Sequence, residues 1–378
     1  MAAIAATGIS LALASAMASS AQAAAAHPAA ARHATAAVPA AYSTTGGLLG
    51  VASAANNSAW AVGYQGAIST PRILMLRWNG SAWSRVVKPS VLNGSAGEIS
   101  AITVVNSKDA WAAGFTGNTL GTIHTLLLHW NGSTWSQVTR PAPVKDGALS
   151  AVTATTTGGF AVGYYYTGPA ALDYWSLTFQ LTKSTWSRIA AKTDDTTFDG
   201  VATTSARTTW AIANEASMIT GGLAKWNGRS WSWISFPVEG QYHALNGIAA
   251  GPGGIAFAVG TNNNFPSSPP LSMKWTGHKW EKVTVSAPTE SGLNAVTFAP
   301  GGSAWAVGAT SVASGHTLIV RWNGHRWIRV TSPNPGPQCR LEAIRFSAAK
   351  YGWAVGYSYT PSGATKTVIL HWNGHTWS

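Results

Sequence analysis

The apolar positions of this chain fall into short runs, four to a unit, and the unit recurs along most of its length. The clearest run is Leu318–Trp327, reading LIVRWNGHRW: an apolar stretch, a Trp, an Asn-Gly pair and a second Trp. Leu318, Val320 and Trp322 alternate to one side of an incoming strand. Asn323-Gly324 signals a hairpin, because a type I′ turn needs positive φ at both central residues. A two-residue turn sets Val320 opposite Trp327, and a four-residue loop sets Trp322 there. Either register puts both indoles on one face. Each indole buries ~150–250 Å², an upper bound of ~4–6 kcal/mol. A lone hairpin is marginal in water, so this unit needs neighbours.

Repetition supplies them. A W-A-V-G motif and its variants begin at Trp60, Trp111, Phe160, Trp210, Phe257, Trp305 and Trp353, in steps of 51, 49, 50, 47, 48 and 48 residues. A W-N-G-x-x-W hairpin follows each, with first aromatics at Trp78, Trp130, Trp226, Trp275, Trp322 and Trp372; in the third repeat Leu181 takes that place. The second Trp is always present, from Trp83 to Trp377. A period near 48 with four β-like runs per unit predicts an all-β fold: a seven-bladed β-propeller of four-stranded antiparallel blades. Strands are named A to D from the inside out. Strand A is expected around Ala148–Thr153 or Leu293–Phe298, B is W-A-V-G, C ends at the first Trp and D starts at the second. Leu126, Leu127 and Leu128 make strand C apolar on both faces, as blades packed on either side require. Arg85, Gln137, Arg188, Lys282 and Arg329 make strand D a polar edge.

Three segments follow. Residues 1–23 read as an export signal, with an apolar Ala-rich run and an Ala21-Gln22-Ala23 cleavage site but no basic n-region. Residues 24–47 read as an Ala/Pro-rich linker and 48–378 as the propeller. The last repeat stops at Trp377-Ser378, one residue into strand D. Residues near His33–Pro39 carry a similar piece, and are expected to complete blade 7 and close the ring.

The repeat Ala59-Trp60-Ala61-Val62-Gly63 followed by Leu76-Arg77-Trp78-Asn79-Gly80-Ser81-Ala82-Trp83 resembles the exported β-propeller repeat proteins common in actinobacteria, within the kelch and galactose-oxidase-like group. The likeness covers about residues 48–378. It departs from kelch in having Val-Gly where kelch has a Gly-Gly doublet, and it lacks the Trp-Asp ending of WD40 repeats and the sialidase Asp-box. The resemblance implies the fold and export, and little about activity.

Composition narrows the chemistry. The chain of 378 residues holds 24 Lys+Arg against 12 Asp+Glu, a net charge of +12, with 20 Trp, 40 Gly and a single Cys. One cysteine excludes an intrachain disulfide. Cys339, the only thiol for a copper-radical site, is expected in the Pro-rich loop of Pro333–Pro337 and reads as incidental. The acids are scattered; Asp194, Asp195 and Asp199 form one cluster, read as a solvated turn. His371 and His375 flank one hairpin turn without the partners a metal site needs. No phosphate-binding loop, zincin motif or nucleophile elbow occurs. No catalytic residue, metal ligand or cofactor is therefore assigned. No run reaches the ~18 apolar residues that span a membrane. A basic residue precedes most strand-C Trps (Arg77, His129, Lys225, Lys274, Arg321, His371) and is read as cover for the indoles by its alkyl stem and cation–π contact. Basic groups spread so thinly do not make a nucleic-acid interface.

Function is expected at the rim carrying the B–C and D–A connections, because the C–D turns are nearly uniform. The distance from strand-B aromatic to strand-C anchor varies as 18, 19, 21, 16, 18, 17 and 19 residues. Tyr64, Phe115, Tyr164 and Tyr357 follow their strand-B aromatics by four positions on blades adjacent around a closed ring. With Tyr166 and Tyr359 they are expected to form an aromatic arc for sugar rings or extended peptides. The leading expectation is an exported, monomeric, non-catalytic scaffold for a glycan, peptide or cell-wall polymer. A carbohydrate-active hydrolase or lyase is the alternative, favoured if carboxylates converge at the pore mouth. A structural spacer is the third reading, favoured if the arc is buried between blades.

Overall fold

The computed structural model describes residues 42–378 apart from 88, 119–121, 140–143, 145, 168–172, 192–195, 206–207, 216–220, 235–242, 263–267 and 312–314. The expected export signal and the piece near 33–39 lie outside the described residues. Seven antiparallel sheets follow one another, each paired in chain order from the inside out. Blade 1 is typical, with strands Gly46–Ala55, Ser58–Gln65, Arg72–Trp78 and Trp83–Arg85. The fold is a seven-bladed β-propeller. No helix among the described residues is long and apolar enough to cross a membrane.

The W-N-G hairpin takes the four-residue register: Trp322 pairs with Trp327, Trp78 with Trp83 and Trp130 with Trp135. The type I′ expectation fails here. Gly324 has φ +102° while Asn323 keeps a negative φ. Asn323 serves through its side chain, whose Oδ1 accepts from the backbone N–H of His325 at 2.9 Å and of Arg326 at 2.8 Å. This Asx arrangement offers the turn an acceptor that no αL residue is needed to supply. A turn of positive φ at both central residues does occur in blade 3, where Asn-Gly is missing: Lys183 (φ 49°) and Ser184 (φ 70°) sit between the paired Thr182 and Thr185.

Both indoles of a hairpin share a face, and together they hold an aromatic ring of the preceding blade. Trp60 of blade 1 meets Trp130 and Trp135 of blade 2 at 5.0 and 5.2 Å. Phe160 meets Trp226 and Trp231, Trp210 meets Trp275 and Trp280, Phe257 meets Trp322 and Trp327, and Trp305 meets Trp372 and Trp377. Many of these pairs are edge-to-face, a geometry that adds ~0.5–1.5 kcal/mol beyond the area buried. The basic residue before the strand-C Trp caps the trio: the Arg77 guanidinium lies 5.1 Å from the Trp60 ring and 5.4 Å from Trp130. His129 stacks on Trp111 at 4.0 Å.

Blade 7 is completed from both ends of the chain. Its strand C, Thr365–Trp372, receives Ser378 on its outer edge, where Ser378 N–H donates to His371 O at 3.0 Å and His371 N–H returns a bond at 2.8 Å. Farther along that edge Thr367 N–H donates to Thr44 O at 3.0 Å, and Thr45 bridges Lys366 in antiparallel sense. An N-terminal segment therefore closes the ring. The pairing seen is made by Thr44 and Thr45, and the linker expected to reach residue 47 already belongs to the propeller by then. On blade 6, Val285–Ser286 adds a short parallel strand that covers the outer edge at Trp327–Ile328.

Candidate functional site

The last residue of W-A-V-G explains how the inner strand is shaped. In every blade strand A carries one extra residue, a β-bulge, beside that position: Leu49, Ser100, Ser150, Asp199, Asn246, Asn294 and Glu342 are the unpaired residues. The bulge drives a strand-A carbonyl against the facing glycine. A methyl group on Gly63, Gly114 or Gly356 would overlap the carbonyl oxygen of Gly47, Glu98 or Arg340 respectively. Glycine is needed there for close backbone approach, since its φ is not in the left-handed region. Blade 4 has Ala213 opposite its bulge, and nothing in the structure explains that exception.

All seven bulged residues line one cavity of about 300 Å³ on the propeller axis. The cavity opens at the starts of the A strands and the ends of the B strands, the rim that carries the B–C and D–A connections. Three successive blade junctions are fixed by the same bracket beneath it. The Asn214 amide donates to Leu245 O at 2.9 Å, Asn246 to Leu293 O at 2.9 Å and Asn294 to Leu341 O at 2.8 Å. These asparagines are held by the scaffold and stiffen that half of the wall.

The remaining polar groups are acids and tyrosines. Glu98, Asp199, Glu215 and Glu342 border the cavity, against a single basic residue, Arg340. Glu98 is 2 % exposed. Its Oε1 accepts a long bond from Ser100 Oγ at 3.4 Å, and its buried Oε2 has no hydrogen-bond partner in the protein. Burial, against the opposing bond from Ser100 and aided by the charge of Glu342, pushes the carboxyl up to about 8, which favours its protonated form at neutral pH. Asp199 is also raised by burial, although its Oδ2 accepts from Asn214 at 2.8 Å and Thr197 at 3.0 Å. Arg340 pairs through Nε with Glu342, and its other arm donates to Asn294 Oδ1 at 3.0 Å. Burial works against the guanidinium, but Glu342, by charge and hydrogen bond, together with Tyr357 and Tyr359 holds the charge above its ordinary range.

Of the six aromatic residues singled out in the sequence, five border this cavity: Tyr64, Tyr164, Tyr166, Tyr357 and Tyr359. They are not an exposed platform. Tyr64, Tyr164 and Tyr166 are 1, 7 and 8 % exposed, while Tyr359 is 39 % exposed. Phe115 does not reach the cavity; it packs among Ile123, Ala148, Tyr164 and Tyr166. The arc divides in two. Tyr64 and Tyr357 close on Gly47 between blades 1 and 7, and Tyr164, Tyr166 and Tyr174 form a second cluster, with Tyr166 and Tyr174 at 4.7 Å. Burial, the strongest influence, pushes Tyr64 up to about 12 against the opposing bond to Thr365 Oγ1 at 3.4 Å.

The acids were missed in the sequence for lack of a local motif. One signal was present: the bulged residue stands eleven positions before the strand-B aromatic in six repeats, as in Glu342 to Trp353, and ten in blade 3, from Ser150 to Phe160. Asp199 is thus no solvated turn but a half-buried bulge, and Asp194 and Asp195 lie outside the described residues. Cys339 sits in strand A of blade 7, Gln338–Ala348, 1 % exposed, with Gly336 N–H donating to its sulfur at 3.2 Å. His371 packs on Trp353 at 4.5 Å, and burial lowers its pKa. Among the described residues no group of three or more His, Cys, Asp or Glu is placed to hold a metal ion.

No family model matches the sequence, and no curated protein does. Solved structures match by shape. YCF48 bound to D1 peptide is similar at TM-score 0.56 and 13% identity, over 88% of this chain and 97% of that one. A streptogramin B lyase is similar at TM-score 0.56 and 13% identity, over 85% and 93%. A Hadza microbial sialidase is similar at TM-score 0.53 and 11% identity, over 70% of this chain and 63% of its own. At such identities the likeness extends to the propeller fold and no further.

Proposed function

We propose that this chain is an exported, non-catalytic binding scaffold of the actinobacterial repeat type. Its ligand is a glycan, cell-wall polymer or extended peptide that presents one group to the axial cavity. The observation that carries this reading is the convergence of a bulged residue from every blade, five tyrosines and four acids on one cavity of about 300 Å³. A stiff, concave, mixed aromatic and polar wall suits recognition. A propeller of similar shape, YCF48, binds D1 peptide, which supports the peptide form of the reading. The export component rests on the sequence of residues 1–23 alone. The test is an array of glycans, cell-wall fragments and peptides probed with wild-type protein and with Tyr359→Ala, chosen because Tyr359 is the exposed member of the wall. Binding that Tyr359→Ala weakens supports the reading; no binder on any array, or binders indifferent to the substitution, refutes it.

One observation favours an enzyme as the second reading. Four acid side chains share the cavity, and Glu98 is protonated at neutral pH, as a general acid must be. A carbohydrate-active hydrolase or lyase would then release reducing ends from an acidic or neutral polysaccharide, and Glu98→Gln would stop it.

A further inference from the structure

The cavity is acidic inside a basic protein. The chain has net charge +12, yet the wall holds four acids to one arginine. That arginine is engaged with Glu342 and Asn294. Glu98 is the incomplete group, with one carboxyl oxygen satisfied at 3.4 Å and the other buried and unmatched. An unmatched carboxyl oxygen beside a cavity is costly to bury, and a donor brought in by a ligand would satisfy it. We infer that the axial cavity binds a primary ammonium group, such as a lysine side chain presents, with Glu98 Oε2 as its acceptor and the tyrosine rings as its cage. This rests on the binding reading above and names the ligand group.

Three observations select an ammonium. Only one oxygen of Glu98 lacks a partner, which matches a compact point charge; a guanidinium needs two parallel acceptors for its fork. The Tyr64 and Tyr357 rings both border the cavity and close on the same Gly47, and aromatic rings attract a cation. The described acids do not group as a metal site would require. The size of the cavity, about 300 Å³, fits one side chain. Titratable groups that act on Glu98 are Tyr64, Tyr164 and Glu342, from blades 1, 3 and 7. The neighbouring inner strands of blades 1 and 3 bring only Leu49 and Ala148–Ser150 to the wall, and Arg72, bridged to Ala96, points its charge to solvent. A bound cation therefore meets an uncompensated acid and converts it to the carboxylate, releasing its proton.

The probes are Nα-acetyl-lysine methylamide, its neutral isostere Nα-acetyl-norleucine methylamide and a chitin tetrasaccharide, titrated by calorimetry in two buffers of different ionisation enthalpy. The lysine probe is expected to bind with release of about one proton at pH 7, to be weakened about tenfold to a hundredfold in Glu98→Gln, and to outcompete the norleucine probe. Equal binding of lysine and norleucine probes, no proton release, or a folded Glu98→Gln that binds as wild type overturns the inference. If Glu98→Gln does not fold, the wild-type proton count decides alone. Tetrasaccharide binding without lysine binding overturns the ammonium assignment and leaves the cavity as a glycan site. Failure of all three probes overturns the assignment, while the Tyr359→Ala array comparison still judges the binding reading separately.

Discussion

The indole of Trp353, on the second strand of blade 7, lies 4.9 Å from that of Trp78, on the third strand of blade 1, with 60° between their planes. Residues far apart in the chain make the contact that the other neighbouring blades make in sequence, except between blades 2 and 3, where Leu181 replaces the first Trp. Trp83 completes the trio at 5.0 Å from Trp353. The last blade is thus joined to the first by the same aromatic packing as the rest, with Thr44 and Thr45 adding backbone pairing to blade 7.

Trp353→Ala is expected to destabilise the protein by ~3–5 kcal/mol, as for other large buried aromatics, read from urea denaturation. Trp78→Ala should have a similar effect. The double variant should fall short of their sum by ~0.5–1.5 kcal/mol, the coupling of an aromatic pair in contact. Strict additivity would show that the two rings do not support one another.

Two glycines separate steric need from turn geometry. Gly356 faces the Arg340 carbonyl, so Gly356→Ala must shift the inner strand and should prevent stable folding. Gly324 has φ +102° and nothing within 4 Å of an added methyl, so Gly324→Ala should lower stability by only ~1 kcal/mol. Thermal melts of the two variants check the contrast, and equal losses would refute the bulge account.

Asn294 of blade 6 makes two bonds to the inner strand of blade 7, donating to Leu341 O at 2.8 Å and accepting from Arg340 at 3.0 Å. Asn294→Ala leaves a buried carbonyl and part of a guanidinium without partners. The expected loss is ~1–3 kcal/mol, and Asn294→Asp should not restore it, since Asp supplies no donor to the carbonyl. Guanidinium chloride melts of the three proteins decide.

Glu98 makes stability depend on pH in a defined sense. Its folded pKa, about 8, lies above the ordinary glutamate value of 4.5. Between those values the unfolded chain ionises while the folded protein keeps its proton. The fold therefore binds more protons, and its stability falls as pH rises from 4.5 to 8 and levels off above that. The swing is on the order of a few kcal/mol. Glu98→Gln should flatten the profile and be the more stable protein at pH 8; a wild-type profile that rises over this window would contradict the burial of the acid.

Much of the architecture was legible because each repeat states the same local requirements. The W-A-V-G and W-N-G-x-x-W motifs fix strand order, blade count and the shared face of the two indoles, since periodicity of two and a short loop leave no other face to bury. The hairpin was mistaken in detail at Asn323, whose side chain serves the turn from an ordinary backbone conformation, a choice that depends on the pairing of Trp322 with Trp327. Tyr64, Tyr164 and Tyr166 border the axial cavity but are largely buried. Their burial follows from contacts with neighbouring blades, such as Tyr64 with Thr365 across 301 positions of sequence.

The sequence by itself determined the repeating blade and the aromatic trio that joins blades, because these depend on residues within one or two periods. Only the tertiary structure decided where the acids meet. Glu98, Asp199 and Glu342 belong to three different blades, and what unites them is that each lies at, or two residues before, a strand-A bulge. The curvature of the closed ring turns seven such positions toward one axis, and strips water from a carboxyl that no neighbour in sequence would have marked.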